Sequence, residues 1–139
     1  MIRPDPKERS RPGASARAAR VLLAEDDDEM RTLLKAYLEL AGYEVRAVGD
    51  GLAVMEALTD AEWAADVLVT DLHMPVMGGM ELLRRLGESG AAPPTIVITS
   101  FGDDAIHNRA RKLGAIEVFD KPFDSTRLVR AVKTLLDAG

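Results

Sequence analysis

Five short strand-like runs alternate with five segments of helical periodicity, and that alternation leaves the chain few folds to adopt. The runs lie at 20–24, 44–48, 67–71, 95–99 and, most briefly, 117–120. The third is the purest. Val67-Leu68-Val69-Thr70-Asp71 is apolar and β-branched, stops on a carboxylate, and is followed by Pro75 and Gly78-Gly79, which force a loop. After the first run, Met30, Leu33, Leu34, Tyr37, Leu38 and Ala41 recur at helical spacing, with Gly42 in the C′ position. A second helix is predicted from 51 to about 61, with Val54, Met55 and Leu58 inward, and a third from near Gly79, carrying Leu82, Leu83 and Leu86. The fourth runs from about 103 to 113 and is closed by Gly114. The last has Asp124 as its N-cap and buries Leu128, Val129, Val132, Leu135 and Leu136.

Strand and helix in strict alternation predict an α/β fold, a doubly wound five-stranded parallel sheet with helices on both faces. Right-handed crossovers prune the topologies, and the flavodoxin-like order 2-1-3-4-5 is the natural one. Its switch point lies between strands 1 and 3, and ligands of such sheets bind beyond the carboxyl ends of the strands.

A chain of 139 residues suits one domain with a proper core. There is no cysteine, which excludes disulfides, thiol catalysis and cysteine-ligated zinc and points to a cytoplasmic setting. No apolar run is long enough to span a membrane, and the start lacks a signal-peptide core. Residues 1–20 hold six Lys/Arg against two Asp/Glu, a charge of +4, while the remaining 12 basic and 21 acidic residues give −9. Residues 1–19 read as a disordered basic arm, with its charges dispersed as in a solvated leader rather than a nucleic-acid or membrane tether. The folded domain is expected over 20–137, and its acidity argues against binding nucleic acid.

The ends of the predicted strands carry a set of polar residues. Strand 1 gives Glu25 and Asp26, strand 3 gives Asp71, strand 4 gives Thr99 and strand 5 gives Lys121. Three acids brought together repel one another, and a hard divalent cation such as Mg²⁺ resolves that conflict with oxygen ligands. A hydroxyl and an ammonium opposite them suit a phosphoryl group. Two chemistries fit: Asp71 as a nucleophile forming an acyl phosphate, or a site that only binds Mg²⁺ and a phosphorylated ligand. No Gly-rich phosphate loop is present to support nucleotide binding. His73 reads as a loop residue and His107 as a solvated helix residue, neither with a partner suggesting a triad or a zinc site.

Glu25-Asp26, Asp71 within Asp-Leu-His-Met-Pro-Val-Met-Gly-Gly, Thr99, and Lys121-Pro122-Phe123 together resemble a response-regulator receiver domain over about residues 20–137. The resemblance implies a phosphoacceptor in a two-component phosphorelay, charged by a histidine kinase or a histidine phosphotransfer protein. By it, Asp71 takes the phosphoryl group. Asp26, Asp71 and the backbone carbonyl of His73 ligate Mg²⁺, Glu25 acts on the metal through water, and Thr99 and Lys121 hold the phosphoryl oxygens. The output partner would dock on the face of helix 4, strand 5 and helix 5. A receiver is no enzyme toward outside substrates, since it catalyses only its own phosphorylation and dephosphorylation.

Three positions depart from the family's pattern. Glu25 stands where Asp is commoner, Gly78 where Asp often precedes the turn glycine, and Val118 where a Tyr or Phe usually swings with the threonine. Phe119 follows Val118 but should face the other side of its strand. Phe101 and His73 are expected to overhang the mouth of the site. The enzymatic rival, a haloacid-dehalogenase-type phosphatase, needs an acid two residues after its nucleophile, and His73 stands there. A receiver-like module working without phosphate is the binding rival. The chain stops at Gly139, just past the last helix, with no output domain in view. That suits a stand-alone receiver or the receiver portion of a longer regulator.

Overall fold

The computed structural model describes residues 17–90, 92–100 and 102–138. Phe101 and the arm up to residue 16 lie outside the described residues. The strands are β1 Arg20–Ala24, β2 Glu44–Val48, β3 Val67–Asp71, β4 Thr95–Thr99 and β5 Ala115–Asp120. The helices are α1 Asp28–Leu40, α2 Gly51–Leu58, α3 Gly79–Ser89, α4 Asp104–Lys112 and α5 Ser125–Ala138. Every strand pair is parallel and the order is β2-β1-β3-β4-β5, the flavodoxin-like arrangement expected.

Alternation along each strand sends successive side chains to opposite faces of the sheet. On one face Val21, Leu23, Val67, Val69, Ile96 and Ile98 meet Leu34 and Leu38 of α1 and Leu128 and Val132 of α5. On the other, Leu22, Ala24 and Leu68 meet α2 and α3 through Val54, Ala57, Leu82 and Leu86. Val97 and Val118 continue that second face towards Leu83 of α3 and Ala110 of α4. β3 and β4 are buried along their whole length, so their sequences are apolar runs without polar alternation. Each such Val or Leu contributes about 1.5–3 kcal/mol by leaving water, which makes the central strands a rigid base for whatever stands at their ends.

Local chemistry sets most of the helix ends. Asp27, Asp50 and Asp103 accept from Met30, Ala53 and Ile106 backbone N–H groups as N-caps. Asp124 accepts from the Thr126 N–H at 2.9 Å at the start of α5. Gly42 and Gly114 follow α1 and α4 with positive φ, as their sequence positions suggest.

Three boundaries and one burial pattern differ from the sequence reading. α2 stops at Leu58 rather than near 61, because Thr59 bonds back to the Glu56 carbonyl and Asp60 turns away to Arg46. That turn drops Trp63 into the core, where its N–H donates to Glu44 Oε1 at 2.8 Å and the Arg46 guanidinium lies 4.5 Å from its ring centroid. β5 starts at Ala115, two residues early, and a register shift opposite Thr95 and Ile96 leaves Ile116 turned outward. Residues 17–19, assigned by sequence to the arm, join the body. Arg17 pairs with Asp66 at 3.0 Å, and the Ala19 carbonyl accepts from Glu44 N at 2.9 Å. Finally, α1 buries Leu34 and Leu38 but leaves Leu33 and Tyr37 exposed, so its apolar stripe is wider than the surface that covers it.

The loop from β3 to α3 is held tightly. Gly79 N–H returns to the Leu72 carbonyl at 2.9 Å, and a Cβ at residue 79 would lie 2.4 Å from the Asp71 carbonyl oxygen. Only glycine allows this close approach, which pins the loop to the strand end. Within the loop Val76 adopts φ 67° and is 78% exposed. A β-branched residue is strained there and gains no burial in return. Val76→Asn, which tolerates this conformation, is expected to raise stability by about 1 kcal/mol in urea unfolding. A loss of stability would mean that the valine makes a contact worth more than the strain.

Candidate functional site

The register of the sheet brings the acids together before any side chain is considered. Ala24 pairs with Thr70 across β1 and β3, so Glu25 follows on one strand level with Asp71 on the other. Asp71 itself pairs with Ile98 and Thr99 with Asp120, which carries the line across to β5. Glu25, Asp71 and Thr99 are buried, while Asp26 and His73 are exposed. One oxygen from each of Glu25, Asp26 and Asp71 lies within 4.8 Å of the others, the one such cluster among the described residues.

Lys121 sits at the centre of the charge balance. Its Nζ donates to Glu25 Oε1 at 2.5 Å and to Asp71 Oδ2 at 2.6 Å. It is held over the site by its own N–H, which donates to the Thr99 carbonyl at 2.8 Å. The remaining oxygens are placed by the backbone. His73 N–H donates to Asp71 Oδ1 at 2.9 Å, and Asp27 N–H donates to Glu25 Oε2 at 3.1 Å. Arg31 bonds the Glu25 carbonyl at 2.9 Å, which ties the turn after β1 to α1.

Two buried carboxylates and a third at the rim face a single ammonium, and the imbalance appears in their proton affinities. Burial, together with the charge of Asp71, pushes the Glu25 carboxyl up to about 7 against the opposing pull of Lys121 and of the Asp27 N–H. Burial works against the Lys121 ammonium as well, but its bonds to Asp71 and Glu25 outweigh it and raise its pKa. Desolvation thus raises the acid, and the lysine stays charged. The excess of negative oxygen is what a hard cation relieves, so the residues present fit a divalent metal.

The sequence expectations can be placed one by one. Glu25, Asp26, Asp71, Thr99 and Lys121 converge at the carboxyl ends of the strands. His73 adjoins them through its backbone N–H. Val118 packs towards α4, and Phe119 faces the opposite side against Phe123, as alternation requires. The sequence suggests a solvated helix residue at His107, but its Nε2 lies 2.8 Å from Asp120 Oδ1. Only the register of β5 against β4 and α4 makes that pairing visible. A cleft of about 390 Å³ opens beside Lys121, rimmed by Asp27, Glu29, Met30, Leu33 and Ser100.

Residues 21–133 match the family described as Response regulator receiver domain. The chain is 38% identical over 117 residues to the C4-dicarboxylate transport transcriptional regulatory protein DctD of Pseudomonas aeruginosa, covering 84% of this chain and 25% of that one. It is 36% identical over 120 residues to the Response regulator receiver protein CpdR of Brucella abortus, covering 86% of this chain and 98% of that one. The receiver domain of the Francisella response regulator 1452 superposes with a TM-score of 0.81 at 25% identity, covering 86% of this chain and 98% of that domain. The chain thus spans a quarter of DctD and nearly all of CpdR.

The raised acid predicts a pH signature. A carboxyl that holds its proton to about 7 in the fold, against an ordinary 4.5, stabilises the fold fully below the lower value. That contribution is withdrawn as pH rises through the upper one. Without metal, the urea midpoint is expected to fall between about pH 5 and pH 8, and Glu25→Gln to flatten the slope. An equal slope in that variant would assign the effect to another group.

Proposed function

The chain belongs to the response regulator receiver domain family, and on that premise we propose that it is a Mg²⁺-dependent phosphoacceptor. Asp71 takes a phosphoryl group from a histidine kinase or a histidine phosphotransfer protein. The observation that carries this reading is the Lys121 ammonium bridging Glu25 and Asp71 at the strand ends, a cation set against the acid that closes the central strand β3. Asp71 has one oxygen on a backbone N–H and the other on Lys121, so the carboxylate is fixed in orientation before a donor arrives.

The transfer follows from those contacts. A carboxylate oxygen of Asp71 attacks phosphorus in line, an O–P bond forms, and the P–N bond of the donor phosphohistidine breaks. The electron pair of that bond leaves with the imidazole. Lys121 then exchanges its bond to Asp71 for one to a phosphoryl oxygen, keeping its bond to Glu25, and the Thr99 hydroxyl completes the oxygen set. Asp26, Asp71 and the His73 carbonyl would hold Mg²⁺, with Glu25 acting through water, and the ion would supply positive charge to the phosphoryl oxygens. Phosphorylation replaces one negative charge by about 1.5–2, and that gain biases the loop after β4 and the face of α4, β5 and α5. On this face Ile116 is exposed, and a hollow of about 350 Å³ lies between β5 and α5, lined by Phe119, Arg127 and Leu135 among others. It is the place for an output partner.

The donor has a surface to meet. Leu33 borders the cleft beside Lys121, and Tyr37 and Leu40 continue an exposed apolar strip along α1. Among the described residues no helix is long and apolar enough to cross a membrane. We place the protein in the cytoplasm, with protein partners rather than nucleic acid or lipid, and with chemistry confined to its own aspartate. The haloacid-dehalogenase-type rival remains without its second acid, since His73 occupies that position.

Intact mass after treatment with acetyl phosphate and Mg²⁺ is expected to show a phosphoryl adduct in the wild type and none in Asp71→Ala or with chelator present. Adduct in Asp71→Ala would move the acceptor elsewhere, and steady turnover of a generic phosphomonoester would revive the phosphatase. In backbone chemical-shift titrations, Asp26→Ala is expected to lose most of the Mg²⁺ affinity. Lys121→Ala should still bind Mg²⁺ but respond weakly to phosphorylation. If its phosphorylation shifts match the wild type, Lys121 is structural.

A further inference from the structure

We propose that the hydrogen bond between His107 and Asp120 is the joint through which the state of the acid site reaches α4. Both side chains are then positioning residues, and the proposal rests on the reading of Asp71 as a phosphoacceptor. Asp120 is the last residue of β5 and pairs in register with Thr99. It immediately precedes Lys121, whose N–H is bonded to the Thr99 carbonyl at 2.8 Å. Asp120 is therefore flanked by the two groups assigned to the phosphoryl oxygens. Lys121 points to Glu25 and Asp71, while the Asp120 side chain lies towards α4, on the side where Val118 packs.

There it meets His107, with Nε2 and Oδ1 2.8 Å apart. A carboxylate only accepts, so the imidazole Nε2 carries the hydrogen. The third member is backbone. A Cβ at Gly102 would lie 2.1 Å from Asp120 Oδ1, 2.7 Å from His107 Nε2 and 2.9 Å from Thr99 Cγ2. The loop main chain is thus wedged between Thr99 and the bonded pair, where only glycine fits. A shift of Thr99 towards the acids opens or closes that notch, and the pair must follow.

α4 is free enough to respond. Ala110 is its one buried residue among the described ones, packed on Ala115 and Val118 with Ile106 half-buried beside it, and its other polar contact with β5, Arg111 to Glu117, is exposed at 4.0 Å. Val118 beneath the pair is a small side chain with no ring to carry the motion. With so little packing, one hydrogen bond is a large share of what fixes the helix to the sheet. The pair itself is partly exposed, at 24% for His107 and 51% for Asp120, so it adds little to global stability.

The test uses the full chain in three forms, wild type, His107→Ala and His107→Gln, where glutamine keeps a donor for Asp120. Intact mass after acetyl phosphate and Mg²⁺ should show equal phosphorylation and equal decay in all three. The phosphorylation-induced shifts of α4 amides should fall at least about twofold in His107→Ala, and resting amide exchange in α4 should rise about fivefold, as expected for one lost hydrogen bond. His107→Gln should recover most of both. An α4 response in His107→Ala equal to the wild type overturns the proposal, and so does a loss that glutamine fails to restore. If the wild type takes no phosphoryl group, the reading of Asp71 fails instead. Resting exchange then decides the joint by itself: a fivefold rise supports it and an unchanged rate overturns it.

Discussion

Everything at the working end of this protein depends on one ammonium placed between two buried carboxylates. Glu25 and Asp71 are buried at the ends of their strands, and among the described residues Lys121 is the cation bonded to both. Removing one member of such a set leaves an uncompensated buried charge, which is far more costly than never having built the set. The sheet order serves this arrangement. β1 and β3 must be neighbours for the acids to meet, and β5 beside β4 lets the Lys121 N–H reach the Thr99 carbonyl. The apolar runs beneath keep the frame rigid, so the charges can be held close without relaxing apart.

The central strands were legible because burial on both faces writes itself as apolar sequence, and the acids were legible because they stand at the ends of such runs. What sequence reading missed lies where tertiary contacts override local pattern. The end of α2 depends on Trp63 reaching the core and on Asp60 finding Arg46, neither of which is periodic information. The start of β5 is hidden by a register shift that turns Ile116 outward. The apolar stripe of α1 correctly announced a helix but not that part of it stays uncovered. His107 and Asp120 are too far apart in sequence, and too ordinary as residue types, to be paired without the register of β5.

The relatives frame the scale of the system. One matched protein is nearly coextensive with this chain, and another is about four times as long as the aligned segment. The same folded unit therefore occurs alone and joined to more chain. That is consistent with a domain that presents separate surfaces: an apolar edge on α1 beside the Lys121 cleft, and a hollow between β5 and α5.

Trp63 stands at the opposite pole. It lies just before β3, bonded to the first residue of β2 and stacked against Arg46, while Asp71 closes the same strand roughly 15 Å further on. The indole is clasped by Glu44, Arg46 and Arg20, none of which touches the acids. The fold thus carries a built-in optical gauge. Emission from the single tryptophan is expected to report whether the sheet is assembled and to stay unchanged by events at the acid cluster, which separates folding from signalling in one measurement.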